Sequence, residues 1–159
     1  MSSDELTRVY RTYLAAVVRF HLAAAEAGGM GPTDYQASSI LELDGPLSPG
    51  ELADRLRLSR SATTRVIDRL VAAGIAERTV DAADRRKGVV AHTGLIPGEA
   101  IRLFSSVREP IGTAIGSLSA EQQEGLVTYF RSATAAYQNA IDVTGDDGQS
   151  SADQEERSR

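Results

Sequence analysis

A chain of 159 residues with 42% apolar residues is sized for one compact domain, or for one domain and a tail. It holds no cysteine and only two histidines, which excludes a disulfide framework, a thiol switch and a thiolate metal site, and no stretch reaches the roughly 20 apolar residues that span a bilayer. The net charge of −5 is unevenly spread: Asp142 to Arg159 carries six acids and two arginines, while Arg55 to Lys87 carries nine bases and four acids, so one stretch is locally basic inside an acidic protein.

The opening Met1-Ser2-Ser3-Asp4-Glu5 has no basic segment leading into an apolar run. It does not read as a secretory leader, and the expected compartment is the cytoplasm. From Asp4 to Ala27, Leu6, Tyr10, Tyr13, Val17, Phe20 and Ala24 recur at spacings of three and four, the stripe of a long helix. Gly28-Gly29 ends it. Thr33 with Gln36 three residues on predicts the cap of a second helix that carries Ile40, Leu41 and Leu43. After the turn at Asp44-Gly45-Pro46, Ser48-Pro49-Gly50-Glu51 is a capping box with proline at the first helical position. The helix it opens buries Leu52, Ala53 and Leu56. Ser59 is the expected cap of a fourth helix whose apolar face is Thr63, Val66, Ile67 and Leu70, closed by Gly74.

Ile75 to Val80 and Val89 to Leu95 read as two strands around a charged hairpin tip, Asp81 to Gly88. Pro97 predicts the start of a fifth helix with Ile101, Phe104, Val107, Ile111 and Ile115 on one side, kinked at Pro110. Ser119-Ala120-Glu121-Gln122 caps a sixth, carrying Leu126, Phe130, Ala133, Tyr137 and Ile141. From residue 144 the chain is almost devoid of apolar residues, and a disordered acidic tail over 144–159 is expected. The fold class is therefore mostly α with one small β-hairpin, in the order α-α-α-α-β-β-α-α.

A short helix, a tight turn, a second helix and a basic hairpin form a unit that suits duplex DNA. A helix fits the major groove and a narrow basic tip reaches the minor groove. The fourth helix keeps its apolar face inward, which leaves Arg60, Ser61, Ala62, Thr64, Arg65, Asp68 and Arg69 outward or flanking, with Ser59 at its start. Short hydroxyl and methyl side chains among arginines suit base edges and phosphates. A solvated helix face with ordinary charges is the competing account. Catalysis has little to work with, since only His21 and His92 are available and neither a Gly-x-Ser-x-Gly elbow nor a phosphate-cradling glycine loop is present. No cofactor and no metal site is expected.

Leu52-Ala53-Asp54-Arg55-Leu56, Leu58-Ser59-Arg60-Ser61, Thr64-Arg65-Val66-Ile67-Asp68-Arg69-Leu70 and Gly74-Ile75-Ala76-Glu77-Arg78 together resemble the helix-turn-helix of the MarR family. Asp81-Ala82-Ala83-Asp84-Arg85-Arg86 is similar to that family's wing pattern, D-x-x-D-x-R. The motifs span about residues 47 to 98, and the flanking helices fall in the family's order. Two departures stand out: Thr63 occupies a position that the family fills with an aliphatic residue. In addition, Ala91-His92-Thr93-Gly94-Leu95-Ile96-Pro97-Gly98 replaces the usual Leu-Thr-x-x-Gly, which leaves the register at the end of the second strand open.

The resemblance implies a domain over 1–143, with a winged helix-turn-helix lobe at 32–96 and dimerisation helices at 4–28 and 97–142. It implies a homodimeric transcriptional regulator, commonly a repressor, on a roughly palindromic double-stranded DNA operator. The helix from Ser59 would be the recognition helix. Arg86 would enter or flank the minor groove, Asp84 would brace the wing by pairing with an arginine, and Arg85 and Lys87 would take phosphates. It also implies a pocket for a small aromatic or phenolic effector, with Tyr13, Phe20, His21 and Tyr35 as candidates. Ordinary core packing is the competing account of all four. A thiol-based peroxide sensor is excluded for want of cysteine. The alternative function is a winged-helix protein–protein interaction module without DNA binding.

Overall fold

In the computed structural model, residues 2–156 are described, with side chains through 141. The elements run α1 (Ser3–Ala27), α2 (Pro32–Asp44), α3 (Pro49–Leu56), α4 (Arg60–Ala72), β1 (Ala76–Val80), β2 (Gly88–His92), α5 (Gly98–Gly116) and α6 (Ala120–Glu156). The chain divides into two compact units, residues 1–106 and 107–159. No helix among the described residues is long and apolar enough to cross a membrane.

The core of the first unit gathers Ala37 and Leu41 of α2, Leu47, Leu52 of α3, Val66, Ile67 and Leu70 of α4, Ile75, Ala76 and Val90. All but Leu47 and Ile75, which lie in the connections, come from helices or strands, so three short helices and a hairpin close over one another and exclude water from a shared centre. β1 and β2 are antiparallel, with Ala76 opposite His92 and Val80 opposite Gly88. Leu47 adds a one-residue third strand, its N–H donating to Val90 O (3.0 Å) and its carbonyl accepting from Val90 N (2.7 Å).

Local signals place the helix starts. Ser48 Oγ accepts from Glu51 N (3.2 Å) while Glu51 Oε2 accepts from Ser48 N (2.8 Å), a complete capping box. Those same contacts hold the Glu51 carboxyl below its ordinary range. Ser59 caps α4, and Ser119 forms a reciprocal pair with Gln122 at the start of α6. Arg57 turns the chain between α3 and α4 in the left-handed region, at φ 53°. Gly74 (φ 71°) closes α4 where a side chain would be strained.

Three expectations need correction. Thr33 does not cap α2: Gly31 holds that position and Pro32 is the first helical residue. Its fixed φ and missing N–H suit that place, which pulls the start upstream of Thr33. The second strand stops at His92 instead of Leu95. There Thr93 turns its hydroxyl back onto Gly74 O (2.7 Å), its N–H donates to Ile75 O (2.9 Å), and Gly94 bends away at φ 82°. The fifth helix begins at Gly98, with Pro97 O accepting from Ile101 N (3.1 Å), and Pro110 lies inside it.

In the first unit, the α1 stripe is buried only at its end, at Ala24 and Ala25, while Leu6, Val9 and Tyr13 stand half exposed. In the second unit, Ile111, Ile115, Phe130, Tyr137 and Ile141 are exposed in the same way. The backbone of α6 is helical to Glu156, into the stretch expected to be a disordered tail. The side chains of that stretch lie outside the described residues. An existing helix extends without a second nucleation step.

Candidate nucleic-acid interface

The geometry of α4 starts with its cap. Ser59 Oγ accepts from Ala62 N (3.3 Å), and the Thr63 hydroxyl donates to Ser59 O (3.1 Å). That second bond explains the first family departure: Thr63 is fully buried, and its hydroxyl is satisfied within the helix while its methyl faces the core. With Thr63, Val66, Ile67 and Leu70 inward, Arg60, Ser61, Thr64 and Arg65 share an exposed face over the first two turns. Ala62 is half-buried at its flank. Arg60 and Arg65 make no ion pair among the described residues. The Thr64 hydroxyl donates to Arg60 O (2.9 Å) and keeps its acceptor lone pairs outward.

Among the described helices, α4 alone has no acidic residue in its first turn; α1, α2, α3, α5 and α6 all carry one. The positive end of its macrodipole is therefore not offset by an acidic side chain in that turn, and Arg60 adds to it.

The second half of α4 is anchored within the lobe at two of the residues expected to face DNA. Asp68 pairs with Arg78 of β1 (2.6 Å). Arg69 forks onto Asp34 of α2, with Nε on Oδ2 at 2.8 Å and Nη2 on Oδ1 at 2.6 Å. Hydrogen bonding to Asp34 raises the Arg69 guanidinium further above its ordinary value. Both side chains are exposed, but they are engaged within the lobe. Ser59, too, is occupied: its Oγ serves the cap and lies 3.2 Å from Ser61 Oγ.

The wing tip is built on two aspartates. Asp81 Oδ1 accepts from Ala83 N (2.7 Å) and Asp84 N (2.8 Å). The backbone bond from Asp84, then that from Ala83, with the charge of Lys87 adding a little, keeps the Asp81 carboxyl below its ordinary range against a smaller desolvation effect. Asp81 N donates to Lys87 O and Lys87 N to Asp84 O, both at 2.9 Å. Asp84 Oδ1 accepts from Arg86 N (3.1 Å) and lies 3.5 Å from Arg86 Nε. The arginine that Asp84 meets is thus Arg86 itself, whose side chain stays 94% exposed. Arg85 and Lys87 are exposed beside it.

Of the four aromatic candidates, three come together. His21 Nδ1 is 2.6 Å from the Tyr35 hydroxyl, and Phe20 and His21 meet in a T-shaped arrangement at 5.5 Å between centroids. Phe104 of α5 completes the cluster, 5.6 Å from Phe20 and 6.5 Å from His21. Tyr13 stands half exposed further up α1 and makes none of these ring contacts. Beside the cluster lies an open cleft of about 390 Å³, lined by Val17, Leu22, Ala25 and Pro32 with His21, Tyr35 and Gln36. Burial raises the Tyr35 phenol above its ordinary value; a bond with Ser39 opposes this and Glu42 adds to it.

The sequence reading missed Asp34, Arg78, Asp81 and Phe104. Asp34 had a signal: with Ala37, Ser38 and Leu41 it forms the buried face of α2, and an acid on such a face requires a cation. Among the described residues no group of His, Asp and Glu is arranged to hold a metal ion.

The sequence model of the MarR family matches residues 29–87, the stretch from the end of α1 to the wing tip. Of known proteins, the uncharacterized HTH-type transcriptional regulator YcgE of Bacillus subtilis is 40% identical over 83 residues, 52% of this chain and 54% of that protein; the match thus spans about half of that relative's length. A MarR-like transcriptional regulator of Thermotoga maritima, tm0816, is 26% identical with a TM-score of 0.56, covering 87% of this chain and 98% of its own. A point mutant of MepR from S. aureus, bound to an oligodeoxyribonucleotide, shares the fold at 16% identity and a TM-score of 0.51, over 83% of this chain and 97% of its own. The first two of these are named as transcriptional regulators, and the stretch of this chain that is similar to the MarR family holds α2, α3, α4 and the wing tip.

Proposed function

We propose that the chain is a sequence-specific, double-stranded DNA-binding transcriptional regulator, and a repressor. The observation that carries this reading is the pairing of two basic, solvent-facing features on one lobe. One is the unneutralised start of α4 with Arg60, Ser61, Thr64 and Arg65; the other is a wing that presents Arg85, Arg86 and Lys87. The first would read base edges in the major groove, the second would add minor-groove and phosphate contacts. A MepR mutant alike in fold binds an oligodeoxyribonucleotide, which supports a nucleic-acid partner for this chain. Asp34, Asp68, Arg69 and Asp84 are assigned to holding the lobe in shape.

The exposed apolar residues of α1, and separately those of the second unit, support burial against a second copy. A two-fold homodimer presents two recognition helices about one DNA turn apart and so favours a roughly palindromic operator. A small aromatic ligand in the cleft beside His21 and Tyr35 would release the DNA. A target on the genome would place the protein in the cytoplasm.

Gel retardation with the protein's own upstream duplex tests the reading. A retarded band is expected, weakened on Arg86→Ala by a fold-change equivalent to about 1–3 kcal/mol. No band at low salt would instead favour a protein-interaction role. Light scattering should report a dimer, and a monomer at micromolar concentration would remove the two-fold arrangement.

A further inference from the structure

We infer that Asp34 is a positioning residue for DNA recognition: its two-pronged contact with Arg69 fixes the rotation of α4 about its own axis, and with it sequence discrimination. The inference rests on α4 being the helix that reads DNA. Asp34 sits on the core-facing side of α2, its side chain only 11% exposed, in a row otherwise made of Ala37, Ser38 and Leu41. A carboxylate there has lost most of its water and needs a hydrogen-bonding cation in its place. Arg69 supplies two parallel bonds, at 2.8 and 2.6 Å. A planar fork on a planar carboxylate sets orientation as well as distance.

The other tether on this part of α4 is weaker. Asp68 and Arg78 meet at a single 2.6 Å contact, with both side chains about half exposed, and water can replace such a pair at little cost. Beyond the core packing of Val66, Ile67 and Leu70, it falls to Asp34 to trim the rotation. Side-chain tips lie about 5–6 Å from a helix axis, so a roll of about 10° moves Arg60, Ser61, Thr64 and Arg65 by about 1 Å. Hydrogen bonds to base edges do not survive that displacement, whereas contacts to phosphates re-form by rotamer changes in long cationic side chains.

Charge and position predict opposite results for Asp34→Asn. That change removes a negative charge and frees a cation on the same helix. By charge alone it tightens binding to every duplex and steepens the salt dependence by about 0.9 per copy. By position, it weakens binding to the specific duplex and leaves a scrambled duplex unaffected or better bound.

Fluorescence anisotropy on the full chain, with its own upstream duplex and a scrambled one of equal length, should show discrimination falling about tenfold or more in D34N. Arg69→Lys keeps every charge but lacks the fork, and should lose discrimination in the same way. Equal changes on both duplexes, or no change in either variant, would overturn the inference. Hydrogen exchange without DNA separates its failure from that of the functional reading. Faster exchange in the second half of α4 in D34N, at unchanged global melting, is expected. Unchanged exchange there overturns the clamp whether or not the protein binds DNA, while a wild-type chain that fails to distinguish the duplexes overturns the DNA reading.

Discussion

Replacing Arg85 and Lys87 together by alanine tests the wing quantitatively. Both side chains project into solvent and neither forms an ion pair among the described residues. The turn beneath them is held by backbone groups and by Asp81 and Asp84, which alanine leaves intact. The double variant should therefore melt with the wild type. If each cation neutralises one phosphate, removing two reduces the slope of log K against log salt by about 1.8 per copy, or about 3.6 in a two-copy complex. Over a fourfold rise in salt, from about 50 to about 200 mM, the wild type then loses about a hundredfold more affinity than the variant does. Anisotropy titrations at four or five salt concentrations measure both slopes. The change should be the same on specific and scrambled duplexes, because phosphates carry no sequence. An unchanged slope, or a loss confined to the specific duplex, refutes the phosphate assignment.

Thr63→Val should alter the unfolding free energy by less than about 1 kcal/mol: a hydroxyl bond worth about 1 kcal/mol net is exchanged for a buried methyl worth about 0.8 kcal/mol. A loss above about 2 kcal/mol in denaturant titration would mean that Ser59 O depends on that hydroxyl. The Asp81 carboxyl, lowered in the folded wing, contributes order that is complete above the ordinary carboxylate range and is lost as pH falls through its lowered value. Amide exchange at Ala83 and Asp84 should thus show protection unchanged near neutrality and lost only in acid, and Asp81→Ala should abolish it at every pH. Protection that already declines between about pH 6 and 7, far above the ordinary carboxylate range, would point to a different titrating group.

What could be read from sequence divides by the range of the interaction. The capping box at Ser48, the caps at Ser59 and Ser119 and the inward face of Thr63, Val66, Ile67 and Leu70 are set within one or two turns of chain, and all stand in the structure. The cap of α2 failed for an equally local reason, since Pro32 outweighed Thr33. The end of β2 was not local: it depends on Thr93 reaching Gly74 and Ile75, residues eighteen or more positions away. The partners of the arginines are likewise non-local. Nothing near Arg69 in sequence distinguishes it from Arg65, yet one is held by Asp34, thirty-five residues away, and the other is free of ion pairs among the described residues.

That difference within α4 explains how an acidic protein can present a basic face. Between Arg55 and Lys87 the nine bases outnumber the acids, but charge count alone does not locate the surface, because several of those bases are already matched. Arg55 is paired with Asp44, Arg69 with Asp34 and Arg78 with Asp68. Arg60 and Arg65 on the first two turns of α4, with Arg85 and Lys87 on the wing, have no such partner among the described residues, and Arg86 reaches out past its contact with Asp84. The paired arginines fix helices and strand to one another; the unpaired ones project from the scaffold so formed. Local pairing thus leaves the uncompensated positive charge on the helix start and the wing tip, where the proposed DNA reading would have a phosphate backbone meet it.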